Sequence, residues 1–340
     1  MKREASFRIN KELRRNPELK DVYRNINEDL QKIEAKLQEL CRHPNPLIAE
    51  IGKYIFQKSG KRLRPALLTL CANLFNYQGD AHILMGALVE TIHSASLIHD
   101  DIIDNSDRRR GRDTVHARWG PNVTVLLGDF LYIKTIGRSL HSGFHDITQT
   151  LINITSQMIE GELQEYYLSG NLKIEEEEYL DILNKKTASL FSASCRIGGI
   201  LGGATEANLT HLSKFGTYIG LSFQIIDDLL DYTGDEQILG KPVLSDMKEG
   251  RITLPLIYTM NHDGAKNRDL LLKIFRKERL GRDAQAQIIQ MVKSNGALDY
   301  TLAKARTYAR KAEEVISRLP ESDYRHSLSL IPPYILSRKK

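Results

Sequence analysis

The sequence predicts an all-α protein. Apolar residues recur at three- and four-residue spacing through most of the chain, short clusters of turn residues separate these runs, and no stretch alternates apolar and polar residues as a half-buried strand would. Residues 1–25 read as a basic lead-in. Ile26, Leu30, Ile33, Leu37 and Leu40 mark a helix over 26–42, ended by the HPNP break at 43–46, where Pro46 can open the next helix. That helix covers 47–57 and stops at SGKRLRP, 59–65, after which 66–76 is again helical. A long helix follows over 81–104, then a helix over about 123–140 beyond the GPN break, and one over 146–168 ending at SGN. Residues 175–195 begin with an acidic run suited to a helix N-terminus. The glycines of IGGILGGA, 197–204, fit no phosphate-loop pattern and predict close helix packing or a break. A helix over 207–232, a turn-rich loop over 233–251 and further short helices from TLP, 253–255, complete the chain. No Pro/Gly/Ser-rich linker interrupts it, so residues 1–340 are expected to form one domain.

Composition bounds the function. The chain has 340 residues, 41% hydrophobic and 27% charged, as expected of a globular protein. A net charge of +5 is too mild to argue for nucleic acid. Cys41, Cys71 and Cys195 show no metal-ligand spacing and suit a reducing, cytoplasmic interior. The N-terminus lacks the apolar core of a secretory signal, and no window reaches the roughly 18 unbroken apolar residues of a spanning helix.

The chemistry concentrates in two stretches. Residues 97–111, LIHDDIIDNSDRRRG, hold Asp100, Asp101 and Asp104 and then Arg108, Arg109 and Arg110. Asp100 and Asp104 share one helix face, where like charges cost roughly 0.2–0.5 kcal/mol, and no Lys or Arg one turn upstream offsets this. The pattern calls for an external cation. Oxygen-only ligands suit Mg²⁺, which shares itself with phosphates, and the arginines suit phosphate oxygens. The plainer alternative is a solvated acidic helix end followed by a basic loop. The second stretch, FQIIDDLLDYTGD at 223–235, repeats the spacing with Asp227, Asp228 and Asp231. Two such clusters on separate helices can face one cavity and hold several ions between them.

With both motifs and the basic elements around them, the chain resembles trans-isoprenyl diphosphate synthases, the polyprenyl synthetase family, from about Gly60 to Pro255. The resemblance implies a helical bundle around a deep central cavity. It also implies head-to-tail condensation of isopentenyl diphosphate with an allylic diphosphate, giving an all-trans polyprenyl diphosphate. The allylic C–O bond would ionise to a carbocation and diphosphate, with three Mg²⁺ per active site neutralising the leaving group. By resemblance Asp100, Asp104 and Asp227 are the principal ligands, with Asp101, Asp228 and Asp231 in support. Arg109, Lys186 and Lys241 correspond to contacts to the allylic diphosphate. Lys61, Arg64, His93 and Arg110 correspond to the metal-free site for isopentenyl diphosphate, although a lone His on an apolar helix is ordinarily a satisfied core residue. Thr187 and Gln224 correspond to residues lining the carbocation. Two departures stand out: Leu244 and Ser245 precede Asp246 where the family often has glycine, and Ser59 stands where Gly is usual.

Product length is read from the helix before Asp100. Ala95 and Ser96, one turn upstream, are small, where members making shorter products often place an aromatic plug. The next apolar residues down are Ile92, Val89, Leu88 and Met85. Moving a channel floor from Ser96 to Met85 deepens it by roughly 16 Å at about 1.5 Å per residue. That room points to a product of C30 or longer; a geranylgeranyl- or farnesyl-length product is the alternative. The resemblance implies a homodimer, or the catalytic member of a heteromer with a small regulatory subunit. Two other readings compete. A class I terpene cyclase needs no GKRLRP anion site, and its second motif mixes Asn, Ser or Thr with Glu. A non-catalytic partner subunit typically loses its Asp motifs.

Overall fold

The computed structural model describes residues 17–57, 60–109, 111–233, 244–262, 271–272 and 281–338. Ser59, Arg110 and Lys241, and most of the basic lead-in, lie outside them. The helices are α1 (Leu19–Val22), α2 (Asn27–Leu40), α3 (Pro46–Phe56), α4 (Leu63–Leu74), α5 (Ala81–Ile103), α6 (Val115–Trp119), α7 (Pro121–His141), α8 (His145–Tyr167) and α9 (Glu176–Leu183). After a π-helical turn at Asn184–Ala188 come α10 (Ser189–Leu201), α11 (Glu206–Thr233), α12 (Ser245–Lys248) and α13 (Leu254–His262). The chain closes with α14 (Arg282–Ser294), α15 (Ala297–Ile316), α16 (Asp323–Ser329) and α17 (Ile331–Leu336).

Local chemistry explains the breaks. Asn45 caps α3 through its side-chain oxygen, which accepts from Leu47 N and Ile48 N, and Pro46 occupies the first turn as expected. Pro121 likewise opens α7. Two expectations need correction. A two-residue antiparallel pair, β1 (Arg108–Arg109) with β2 (Arg112–Asp113), follows α5, too short for any alternation to announce. The expected helix over 175–195 is interrupted at 184–188, where one residue is accommodated as a wider turn.

The core lies on α4, α5, α10 and α11, whose apolar faces are almost fully enclosed. Of the described helices only α5 is long and apolar enough to cross a membrane, and 67% of its apolar window is buried in the bundle. The glycines of 197–204 pack closely, as the pattern predicts: a Cβ on Gly198 would stand 2.3 Å from Leu68 O of α4. Two further glycines hold the π turn. A Cβ on Gly161 of α8 would lie 2.7 Å from Lys186 N, and one on Gly220 of α11 would lie 2.5 Å from Ala188 Cα. Any larger side chain at either position would push the turn away.

Candidate active site

The first Asp motif ends α5 and the second lies in the last two turns of α11. As the spacing implies, these carboxylates find no cation on their own helices; their partners lie beyond them. One cation, Arg109, comes from the basic loop just after the first motif; Arg251 and Arg338 come from distant segments, which helical spacing cannot reveal. Arg109 Nε donates to Asp101 Oδ1 at 2.6 Å. Arg251 donates through Nη1 to Asp104 Oδ1 at 2.8 Å and through Nη2 to Asp246 Oδ1 at 2.9 Å, and it also meets Glu249. Arg338 Nη2 lies 2.7 Å from Asp227 Oδ1, with its guanidinium carbon 4.0 Å over the Phe223 ring and its side chain 5% exposed.

The two motifs are linked through this network. Arg251 holds Asp104, and the Asp246 that it also holds donates its backbone N–H to Asp231 Oδ2 at 3.2 Å. Asp231 accepts in addition from Ser245 N at 3.3 Å and Ser245 Oγ at 2.7 Å, so it caps the short helix α12. Here the departures from the family pattern acquire a structure. Leu244 adopts the left-handed backbone (φ 56°) that glycine would adopt freely, and its side chain is fully buried. Ser245 supplies the hydroxyl that completes the cap.

Lys186 and Thr187 project from the π turn. Lys186 Nζ lies 2.6 Å from Glu162 Oε2 and 2.5 Å from Glu165 Oε2 of α8. Burial alone would lower its pKa, yet Glu165, Asp100 and Glu162 hold it above the ordinary value. Burial pushes the Asp100 carboxyl up to about 7, against the pull of Lys186. Toward α11 a hydrogen-bonded relay runs from Thr187 Oγ1 to Gln224 Oε1 at 3.1 Å, from Gln224 Nε2 to Asp228 Oδ1 at 2.9 Å, and from Tyr179 Oη to Asp228 Oδ2 at 2.6 Å. Asp228 is 3% exposed, and burial, then Asp246, pushes it up to about 8. Among the described residues no three carboxylates or imidazoles converge closely enough to hold an ion without rearrangement. The donor set nevertheless fits Mg²⁺. Its donors are all oxygens, and Asp101, Asp104 and Asp227 each already accept a cationic guanidinium at the distances above.

Below the motifs the structure sorts the chain-length residues into two faces. Ile92, with Val89, Leu88 and Met85, joins a buried cluster with Ile147, Leu151 and Leu190 of α8 and α10. Ala95 instead packs with Ile51, Leu127 and Leu131. Ala95 and Ile92, read as neighbours along one channel wall, thus meet different partners, and Ser96 stands one turn above Ile92. Lys61 and Arg64 flank the start of α4, with Tyr23 Oη donating to Lys61 O at 2.6 Å and the Arg64 guanidinium carbon 4.4 Å over Phe191. His93 lies on α5, two turns before Asp100, and is half-buried.

The comparisons with known proteins bear on this arrangement. The polyprenyl synthetase family profile matches residues 45–292. The chain is a member of the polyprenyl synthetase family. It is 34% identical to the octaprenyl diphosphate synthase of Haemophilus influenzae over 308 residues, covering 91% of this chain and 93% of that one. It is also 34% identical to heptaprenyl diphosphate synthase component 2 of Bacillus subtilis, covering 94% and 91%. Among solved structures, the polyprenyl synthase of Caulobacter crescentus, complexed with calcium and isoprenyl diphosphate, superposes with a TM-score of 0.91 at 29% identity, covering 96% and 99%. The all-α fold and the assignment to the prenyl diphosphate synthases, a transferase family with medium-chain relatives, follow. Sequence reasoning missed Tyr179, Glu162, Glu165, Arg251 and Arg338. Only the acidic pair three residues apart on α8 left a local signal.

Proposed function

We propose that the protein elongates an allylic diphosphate with isopentenyl diphosphate to an all-trans polyprenyl diphosphate of C30 or longer. One observation carries the reading. Asp104 of the first motif is joined to Asp231 of the second through Arg251 and Asp246, and Lys186, paired with Glu162 and Glu165, feels the charge of Asp100. Within this arrangement, Arg109 and Lys186, with Lys241 by resemblance, take the allylic diphosphate. Lys61, Arg64 and His93, with Arg110, take the second diphosphate. Mg²⁺ held by Asp100, Asp104 and Asp227, with Asp101 beside them, supplies Lewis acidity to the leaving diphosphate, and three ions per site is the number the family resemblance implies. The Thr187–Gln224–Asp228 relay keeps fixed dipoles against the reacting carbon, where positive charge develops. The geometry supports Asp228 and Asp231 as groups that orient Gln224 and the loop at 244–248 more than as direct ligands. The growing chain descends beside Ser96 and Ile92 toward Met85.

The protein further acts as a homodimer. Leu126, Ile133 and Leu140 on α7, and Ile152, Ile159 and Tyr166 on α8, are spaced by seven residues and are all at least 43% exposed. Such a stripe on two packed helices fits a second copy of the chain. The Bacillus relative is named as a component of an enzyme, so a small partner on this face is the second reading. We place the whole chain, 1–340, in one domain working in the cytoplasm. Incubating the purified protein with farnesyl diphosphate, labelled isopentenyl diphosphate and Mg²⁺ tests the activity, the product length and the self-sufficiency of the chain together. Products of C30 or longer are expected. Only C15 or C20 with excess isopentenyl diphosphate would overturn the length, and no product without an added subunit would favour the heteromer.

A further inference from the structure

Arg62 stands between the two proposed ligands of isopentenyl diphosphate, Lys61 and Arg64, and it is held entirely differently. Its guanidinium faces the protein interior with its side chain 10% exposed. Nε and Nη2 form a bidentate fork on Glu34 of α2, both at 2.9 Å, and Nη1 donates to Glu90 of α5 at 2.7 Å. Glu90 is itself 6% exposed. Arg62 also carries the left-handed backbone, φ 51°, immediately before α4. A non-glycine residue adopts that conformation only when its surroundings impose it. A cation beside a helix N-terminus is electrostatically unfavourable as well. Both costs are met by the two glutamates, so the fork sets the backbone of the turn.

We propose that Arg62, clamped by Glu34 and Glu90, is a positioning residue that fixes the isopentenyl diphosphate site without touching the substrate. The inference rests on the assignment of Lys61, Arg64 and His93 to that site. The clamp ties together the three segments that build it. Arg62 is covalently between Lys61 and Arg64, Glu90 lies one turn before His93 on α5, and α2 backs the turn through Glu34. A planar five-donor fork fixes orientation where a lysine ammonium would not. The same two carboxylates withdraw Arg62 from the anion site, so that two cations of the basic segment, rather than three, meet the diphosphate.

The test measures steady-state kinetics on Glu90→Gln, Glu34→Gln and Arg62→Lys, with Arg64→Ala as the reference. The Michaelis constant for isopentenyl diphosphate should rise at least 10-fold in Glu90→Gln and Arg62→Lys and about 3-fold or more in Glu34→Gln. The constant for the allylic substrate and kcat should stay within about 3-fold. Glu34 is the more exposed partner, so Glu34→Gln decides the matter if Glu90→Gln does not fold. An unchanged or lowered constant in the glutamine variants, while Arg64→Ala raises it, would overturn the positioning role alone. If Arg64→Ala leaves it unchanged too, the assignment of the site fails instead. Equal rises for both substrates would mean that the clamp serves only general stability, and would also overturn the proposal.

Discussion

Gly161→Ala should slow catalysis without unfolding the protein. The new Cβ would stand 2.7 Å from Lys186 N and 2.8 Å from Lys185 Cβ. Ordinary contact is about 3.5 Å, so α8 and the π turn must part by about 0.8 Å. Overpacking of this kind costs about 1–3 kcal/mol, while exchanging a helical Gly for Ala returns about 1 kcal/mol. The net loss is then about 0–2 kcal/mol. At roughly 2.1 cal/mol/K per residue, a chain of this length loses no more than about 3 °C in Tm. The kinetic effect is larger, because Lys186 and Thr187 ride on the turn that moves, and a 1 Å misplacement of a positioning group costs on the order of 100-fold. Single-turnover rates and Tm should be measured on Gly161→Ala and on Gly137→Ala, whose Cβ would meet nothing within 4 Å. Gly137→Ala should gain about 0.5–1 kcal/mol and keep its rate. Gly161→Ala with a rate within threefold of the parent would refute the claim that this glycine sets the position of Lys186.

Four further outcomes are expected. Asp100→Ala or Asp227→Ala should lower turnover by several orders of magnitude with the helical circular dichroism intact, and catalysis undiminished by EDTA would remove the metal role. Ser96→Tyr, one turn above Ile92, should shorten the product to about C20 or less with turnover retained, as chromatography of the dephosphorylated products would show. Leu126→Glu with Ile133→Glu should halve the mass found by light scattering, whereas a parent protein already monomeric and fully active would contradict the dimer. In metal-free protein Asp228, raised from the ordinary carboxylate value of 3.8 to about 8, binds a proton more tightly folded than unfolded. Its contribution is therefore fully present below about pH 4 and lost as pH rises through about 8. Relative to the parent, Asp228→Asn should remove this fall in thermal stability, and parallel Tm–pH curves would count against it.

The legibility of the chain in sequence follows interaction range. Both Asp motifs and the breaks at Pro46 and Pro121 are readable because each depends on residues within one or two turns, and Gly198 because glycines repeated on a helix signal close packing whatever the partner. The partners of Ala95 are not, since helical spacing fixes a side chain's direction but not which element packs against it, here Ile51 and Leu131 rather than Ile147. The partners of the motif carboxylates escaped notice for the same reason: Arg251 and Arg338 reach Asp104 and Asp227 only after the helices pack. The π turn gave no periodic signal, because it inserts its extra residue without disturbing the apolar pattern on either side. Tyr179 carries no local signal, because its hydroxyl meets Asp228, 49 residues on, through tertiary placement alone.

The Arg251–Asp104 contact joins residues 147 positions apart. Closing a loop of that length costs about 3 kcal/mol more in chain entropy than closing one helical turn, on a (3/2)RT ln n scale. Helices can therefore form, and their packing begin, while the two motifs are still apart. On dilution from denaturant, helical signal should return ahead of catalytic competence. A chain still emerging during synthesis would likewise carry its first Asp motif without the arginine that neutralises Asp104, until the segment after α12 has been made.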